Sequence, residues 1–261
     1  MRSMDIAATG MLAQQLNVEV ISNNIANLNT TSFKRQRAEF QDLLYQSERR
    51  VGAASSDSGT IIPSGVQIGI GVKAASVYRI TEQGNLTNTN NSLDVAIQGR
   101  GFFQVKMPDG TTSYTRAGSF QLSPTGEIVT PDGYSVQPGL TLPANTTAVT
   151  VNSSGQVLAQ VTGQTASQTV GQLELATFPN EAGLDALGDN LFNATEASGA
   201  ATTGKPGSTG FGTLQQGFLE TSNVNIVNEI TDLITAQRAY EMNSKVITAS
   251  NEMQQTLTNL R

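Results

Sequence analysis

The chain has 261 residues, of which 38 % are hydrophobic and only 14 % charged, with a formal net charge of −6. So large a neutral polar share limits how much apolar surface each residue can bury, so parts of the chain order only against a partner, as polymer subunits do. The acidic balance disfavours nucleic acid as a partner, and the absence of Cys and His removes disulfides, the common Zn, Cu and haem sites and His-based triads.

From Met4 to Leu28 the sequence reads as a helix with apolar residues at seven-residue spacing. Met4, Met11, Val18 and Ile25 form one row, and Ala7, Gln14, Ile21 and Leu28 the other. Two such rows offset by three are the seam of a coiled coil, interrupted once by Gln14. Asn27-Leu28-Asn29 should stop the helix, because Asn favours turns over helix interiors. Asp5, Gln14, Gln15 and Asn17 interrupt the apolar character, so this is not a secretory signal, and no apolar run approaches a membrane span. Membrane insertion is not expected, and the protein is either cytoplasmic or exported by a route that needs no cleaved signal peptide. Lys34, Arg35 and Arg37, followed by Arg49 and Arg50, read as a solvated basic face.

Residues 1–44 thus form a first segment, and 45–72 an extended second one. Val51 to Gly65 is rich in Ser, Ala and Gly and reads in isolation as a flexible loop. Yet Ile61, Ile62, Pro63, Val66, Ile68 and Ile70 are an odd investment for a solvated linker. Ile68 and Ile70 fit a strand, and Ile61-Ile62-Pro63 has the character of a segment lying along a neighbour's edge.

Residues 73–212 switch to period two. Strands are predicted at Phe102–Lys106, Thr112–Arg116, Ser119–Leu122, Glu127–Thr130 and Tyr134–Gln137, separated by Asp-Gly and Pro-x-x-Gly turns. Further strands are predicted at Ala148–Val151, Gln156–Val161 and Gln172–Phe178, with Ala194–Gly212 a second flexible loop. Within residues 213–261, Asn223 is placed to cap a helix running to about Leu260. Its apolar face reads Ile226, Ile230, Leu233, Ile234, Tyr240, Ile247, Met253, Leu257 and Leu260. The fold class is therefore α+β: long N- and C-terminal helices pairing as a coiled coil, plus a central antiparallel β-rich domain, barrel-like or sandwich-like. An ordinary intramolecular helical hairpin on the β region is the alternative to helices that serve assembly.

No catalytic, cofactor-binding or metal residue stands out. Asp109 and Asp132 precede Gly in turns, where Asp satisfies local backbone groups. Asp94 and Glu127 read as structural rather than as a hydrolase pair. Gly69-Ile70-Gly71 and Gly99-Arg100-Gly101 lack the rest of a phosphate loop. Two classes remain: a self-assembling structural protein, or a secreted β-rich wall-binding or hydrolase module with helical ends.

Ser22-Asn23-Asn24-Ile25-Ala26-Asn27-Leu28-Asn29-Thr30-Thr31-Ser32-Phe33-Lys34-Arg35 resembles the N-terminal signature of the flagellar axial proteins of the rod and hook, with Ser32 where that family usually has Gly. Glu82–Thr87, Leu93–Phe103 and Tyr114–Phe120 resemble the start of the family's β domain. Glu220–Asn225, Gln237–Glu241 and Asn243–Lys245 are similar to its closing helix, so the likeness is collinear over nearly the whole chain. Tyr45 to Val72 is similar to a segment typical of the distal-rod branch; a longer proximal rod protein is the alternative. The resemblance implies a non-enzymatic subunit that polymerises helically into a rigid hollow drive shaft, carrying torque through the periplasm to the hook. It implies as partners further copies of the chain, proximal rod proteins, the hook protein, the P-ring and L-ring proteins and the flagellar type III export apparatus, and as location the basal body. The family's terminal helices form an inner coiled-coil tube. On this basis Met4, Ala7, Met11, Val18, Ile21, Ile25, Leu28, Ile226, Ile230, Leu233, Tyr240, Ile247, Met253 and Leu257 are expected to form an assembly seam. Ile61, Ile62, Pro63, Val66, Ile68 and Ile70 are expected to lie between subunits.

Overall fold

In the computed structural model, which describes residues 2–49, 64–164 and 166–259, the chain forms two compact units. The first comprises residues 1–26, 36–79 and 225–261, and the second residues 27–35 and 80–224. The α+β class is as the periodicities require.

The first unit holds both long helices. Helix α1, Arg2–Ala26, ends directly before Asn27. The described strands of this unit are four, β1 (Gln36–Asp42), β2 (Tyr45–Arg49), β3 (Val66–Gly69) and β4 (Val72–Arg79). β1 pairs antiparallel with β4, and β2 with β3. Leu43 N–H donates to Gly71 O (2.8 Å) and Ile70 N–H to Leu44 O (3.2 Å), so the two ladders join into one two-stranded ribbon. Each arm runs roughly 45 Å at strand rise. The ribbon meets α1 at Gly71 and Val72. Thr9 Oγ1 accepts from Val72 N–H (3.3 Å), and Gly71 sits at φ 141°, where any Cβ would overlap that hydroxyl.

Helix α2 spans Ile226–Asn259. Its cap is Asn225, not Asn223: Asn225 Oδ1 accepts from the backbone N–H groups of Val227 (3.1 Å) and Asn228 (3.3 Å). Asn223 is used elsewhere, as described below. The period of the sequence located the helix correctly, but two Asn two residues apart both satisfy the capping rule.

The second unit is all β apart from one short turn of 3₁₀ helix at Glu181–Gly183. Its strands begin with β5 (Leu86–Asn88), β6 (Val95–Gln98), β7 (Phe102–Lys106) and β8 (Thr112–Thr115). A nine-stranded antiparallel sheet carries β7 and β8 at its centre, and Thr146–Val151, Gln156–Val161 and Gln168–Gln172 form a three-stranded sheet. Two short ribbons complete it: Thr213–Gln216 pairs with β6, and Phe218–Glu220 with β5. Phe103, Val136 and Leu175 from the large sheet share one core with Val151 and Val157 from the small one, the sandwich-like alternative. β7 is buried on both faces: Phe103 enters that core, while Phe102 joins Tyr114, Phe178 and Leu184 in a second cluster. Ring pairs are edge-on, with centroids 4.8 Å apart for Tyr114–Phe178 and 5.0 Å for Phe103–Phe120.

Two further expectations require correction. Ala194–Gly212 is not a loose loop: Ser198 is fully buried, and Thr202–Gly204 pairs with Leu175–Thr177. Composition hid this because backbone pairing needs no apolar side chains. The strand expected over Gln172–Phe178 is two strands in different sheets, divided at Leu173-Glu174, with Leu173 buried in the shared core.

Candidate assembly site

The signature blocks far apart in sequence meet at one point of the second unit, the carboxylate of Glu220. Glu220 lies at the end of its strand and is 1 % exposed. Its Oε1 accepts from Lys34 Nζ (2.5 Å) and Gly84 N–H (2.9 Å), and its Oε2 from Arg116 Nε (2.7 Å). Lys34 Nζ also donates to Glu82 O, and the Arg116 guanidinium to Gly99 O and Gly101 O. Every nitrogen of the two cations thus has an acceptor, the carboxylate or a backbone carbonyl, the condition under which a buried ion cluster is tolerated. Burial pushes the Glu220 carboxyl up, but Arg116 and Lys34 outweigh it and hold the group below its ordinary value. Burial draws the Lys34 ammonium below its ordinary 10.5, against the pull of Glu220.

Lys34 therefore corrects the reading of a solvated basic face. It is buried, and only the paired carboxylate 186 residues away makes that possible. Ser32 occupies a backbone position that Gly would adopt without strain. Its φ is 57°, in the left-handed region, yet its N–H donates to Glu220 O (2.8 Å) and its hydroxyl to Arg116 O (3.0 Å). Asn223 holds the same linker: its Oδ1 accepts from Arg35 N–H (2.7 Å), and its amide donates to Ile80 O and Glu82 O. The node is a clasp, with the chemistry of a structural ion pair. Asp94 and Glu127, considered as acids from sequence, are engaged locally: Asp94 by Thr89 and Asn91, and Glu127 by the Ser135 hydroxyl. Among the described residues no cluster of acidic groups could hold a metal ion.

In the first unit α1 and α2 pack antiparallel. Ser3 faces Ser250 (Oγ–Oγ 3.1 Å), Gly10 faces Asn243, and Asn24 faces Glu229 (Nδ2 to Oε2, 3.1 Å). A companion row on α1 contains Ile6, Ala13 and Val20, with Ala13 and Val20 buried. The rows expected from hydropathy lie beside these. Met4, Met11, Val18 and Ile25 are half-buried, Ala7 and Ile21 are buried, and Gln14 and Leu28 are half-buried. On α2, Leu233 and Ile247 are half-buried, whereas Ile226, Ile230, Tyr240 and Met253 stay 42–59 % exposed. The Leu257 side chain lies outside the described residues, as do Ile61, Ile62 and Pro63. Val66 and Ile68 fall on β3 and Ile70 at the joint of the ribbon, all three exposed. No described helix is long and apolar enough to cross a membrane.

Helices from both chain ends, a central β unit and signature residues spent on a clasp define a packing subunit of the α+β class. Three family models match in order along it: "Flagella basal body rod protein" over residues 4–34, "Flagellar hook protein FlgE/F/G D1 domain" over 96–159 and "Flagellar basal body rod FlgEFG protein C-terminal" over 215–260. The chain is 60 % identical over 261 residues to the flagellar basal-body rod protein FlgG of Caulobacter vibrioides, covering all of both chains. It is 54 % identical to the FlgG of Agrobacterium fabrum over 97 % of each chain. Its identity to the Bacillus subtilis FlgG is 39 %, over 100 % of this chain and 99 % of the relative. The chain belongs to the flagellar basal-body rod protein family.

Proposed function

We propose that this protein is a non-enzymatic structural subunit of the flagellar distal rod, polymerising helically into a rigid hollow shaft that carries motor torque through the periplasm to the hook. The observation that carries this reading is the state of α2. Large apolar side chains, among them Ile226, Val227, Ile230, Ile234, Met242 and Val246, remain 42–68 % exposed along the helix. A soluble subunit does not leave such a face open unless something covers it. In a chain of the rod family, further copies are the natural cover.

On this reading the apolar rows, Met4, Met11, Val18 and Ile25 with Ile226, Ile230, Tyr240 and Met253, form the contact between copies. The ribbon bearing Val66, Ile68 and Ile70 lies between stacked subunits and braces them, offering open strand edges as well as apolar side chains. Proximal rod proteins, the hook protein, the P-ring and L-ring proteins and the type III export apparatus are the proposed heterologous partners. Electron microscopy of the purified protein at high concentration tests the reading. Straight helical filaments, lost in Ile230→Asp, are the expected result; a monomer at all concentrations, or filaments unaffected by Ile230→Asp, would refute it.

A further inference from the structure

The rows by which α1 and α2 hold each other differ in kind from the apolar rows beside them. Ser3, Gly10, Asn17 and Asn24 recur at seven-residue steps on α1, and Glu229, Ala236, Asn243 and Ser250 do so on α2. The members that meet are small or polar, yet Asn24, Glu229 and Ser250 are 1 %, 4 % and 1 % exposed. Of the described side chains of α2, only Glu229, Ala236 and Ser250 are buried. On α2, hydrophobicity does not select this face.

Shape and hydrogen bonding do. At the middle layer a Cβ on Gly10 would lie 2.8 Å from Asn243 Nδ2, so any larger residue there must displace the amide. At the end layer Asn24 is engaged on both sides. Its Oδ1 accepts from Gln36 N–H (2.7 Å), and its Nδ2 donates to Gln36 O (2.8 Å) and to Glu229 Oε2 (3.1 Å). The Asn24 amide thus acts as one more strand residue beside β1, while presenting a donor to the carboxylate in the first turn of α2. Sliding α2 by one heptad, to bring residue 243 opposite Ser3, would carry Asn243 away from Gly10 and take Glu229 from Asn24 to Asn17, leaving Asn24 one partner short. A buried polar pair that fits one alignment only lowers stability in exchange for a unique register.

We infer that this row is a register lock: Asn24–Glu229, Gly10–Asn243 and Ser3–Ser250 fix the antiparallel alignment of α1 and α2 within one chain. Because the lock spends polar and small residues inside the pair, Met4, Met11, Val18 and Ile25 and the apolar side chains of α2 are left for other contacts. The lock itself does not depend on the proposed polymer, since all its members lie on a single chain.

Disulfide trapping tests it in the full-length monomer, where the natural absence of cysteine gives a clean background. Ser3→Cys is paired with Ser250→Cys in one variant and with Asn243→Cys, one heptad away, in another. In the otherwise unchanged chain, the 3–250 pair should oxidise at least about tenfold more efficiently than 3–243, the ratio one unsatisfied buried polar group enforces. Adding Asn24→Leu and Glu229→Leu should bring the two efficiencies within about threefold, by the same energetics. Equal trapping in the unaltered background would overturn the proposed alignment. Undiminished selectivity after Asn24→Leu and Glu229→Leu would overturn the lock while leaving the alignment standing. Helicity by circular dichroism distinguishes lost register from a lost helix; in the latter case Gly10→Ala, which should reduce selectivity with both helices intact, decides the matter, and unchanged selectivity there refutes the lock.

Discussion

The two units of this protein use opposite strategies for the same scarce apolar residues. The β unit places Phe103, Val105, Ile97, Val157 and Leu175 at full burial and closes on a fully bonded ionic clasp. The helical unit buries three described side chains of a 34-residue helix, two of them polar, and leaves its large apolar ones open. One unit is complete within the chain; the other keeps apolar surface that we propose a second copy covers. A composition with little apolar residue per unit length suits this division if, as proposed, assembly supplies the missing burial.

Perturbing the complete unit should give the largest effect. Glu220→Gln leaves Lys34 and Arg116 buried without their anion, which costs about 3–5 kcal/mol. Denaturant unfolding followed by hydrogen exchange at Phe103 should register it; a loss under about 1 kcal/mol would mean that the clasp is solvated. Phe103→Ala should cost a comparable 3–5 kcal/mol through its cavity.

Perturbing the open unit should leave monomer stability nearly unchanged and abolish assembly. Ile25→Asp and Ile230→Asp place a charge where a second copy is proposed to pack. Sedimentation should find monomers whose β unit melts as before. Filaments of ordinary length would show that these positions face solvent in the polymer.

Acid should act through the clasp. The Glu220 carboxyl titrates lower in the folded chain than in the unfolded one. As pH falls, the unfolded chain therefore binds the proton first, and stability is lost progressively from near the free Glu value of about 4.3 downward through the folded value. A pH series comparing the chain with Glu220→Gln should show a shallower acid slope in the variant.

The smallest effect is expected at Ser32. Replacement by Gly relieves a left-handed backbone worth roughly 1–2 kcal/mol and removes a buried hydroxyl bond worth about 1 kcal/mol, so the two nearly cancel. A change in unfolding midpoint corresponding to more than about 2 kcal/mol would show that one of these terms has been misjudged.

Local signals were legible in the sequence. The end of α1 at Ala26, the strand Phe102–Lys106 and the strand Gln156–Val161 follow from turn residues and period alone. Lys34 was not legible as a buried group, because its anion and second cation are 186 and 82 residues distant and no periodicity links them. The signature blocks carried the only hint, since Lys34, Arg116 and Glu220 each fall inside one. Hydropathy likewise marks Met4, Met11, Val18 and Ile25, whereas the contact inside the chain begins one residue earlier, at Ser3 and Gly10. A scale that rewards apolar residues points to the half-buried face beside that contact.

Hydrogen exchange on monomer and polymer, read peptide by peptide, tests most directly whether one unit is complete and the other half an interface. Peptides of α1 and α2 should gain protection of at least about 2 kcal/mol on polymerisation, while those spanning Phe102–Lys106 and Gln156–Val161 change little. Terminal helices already as protected in a verified monomer as in the polymer, or a β unit that gains as much as they do, would contradict it.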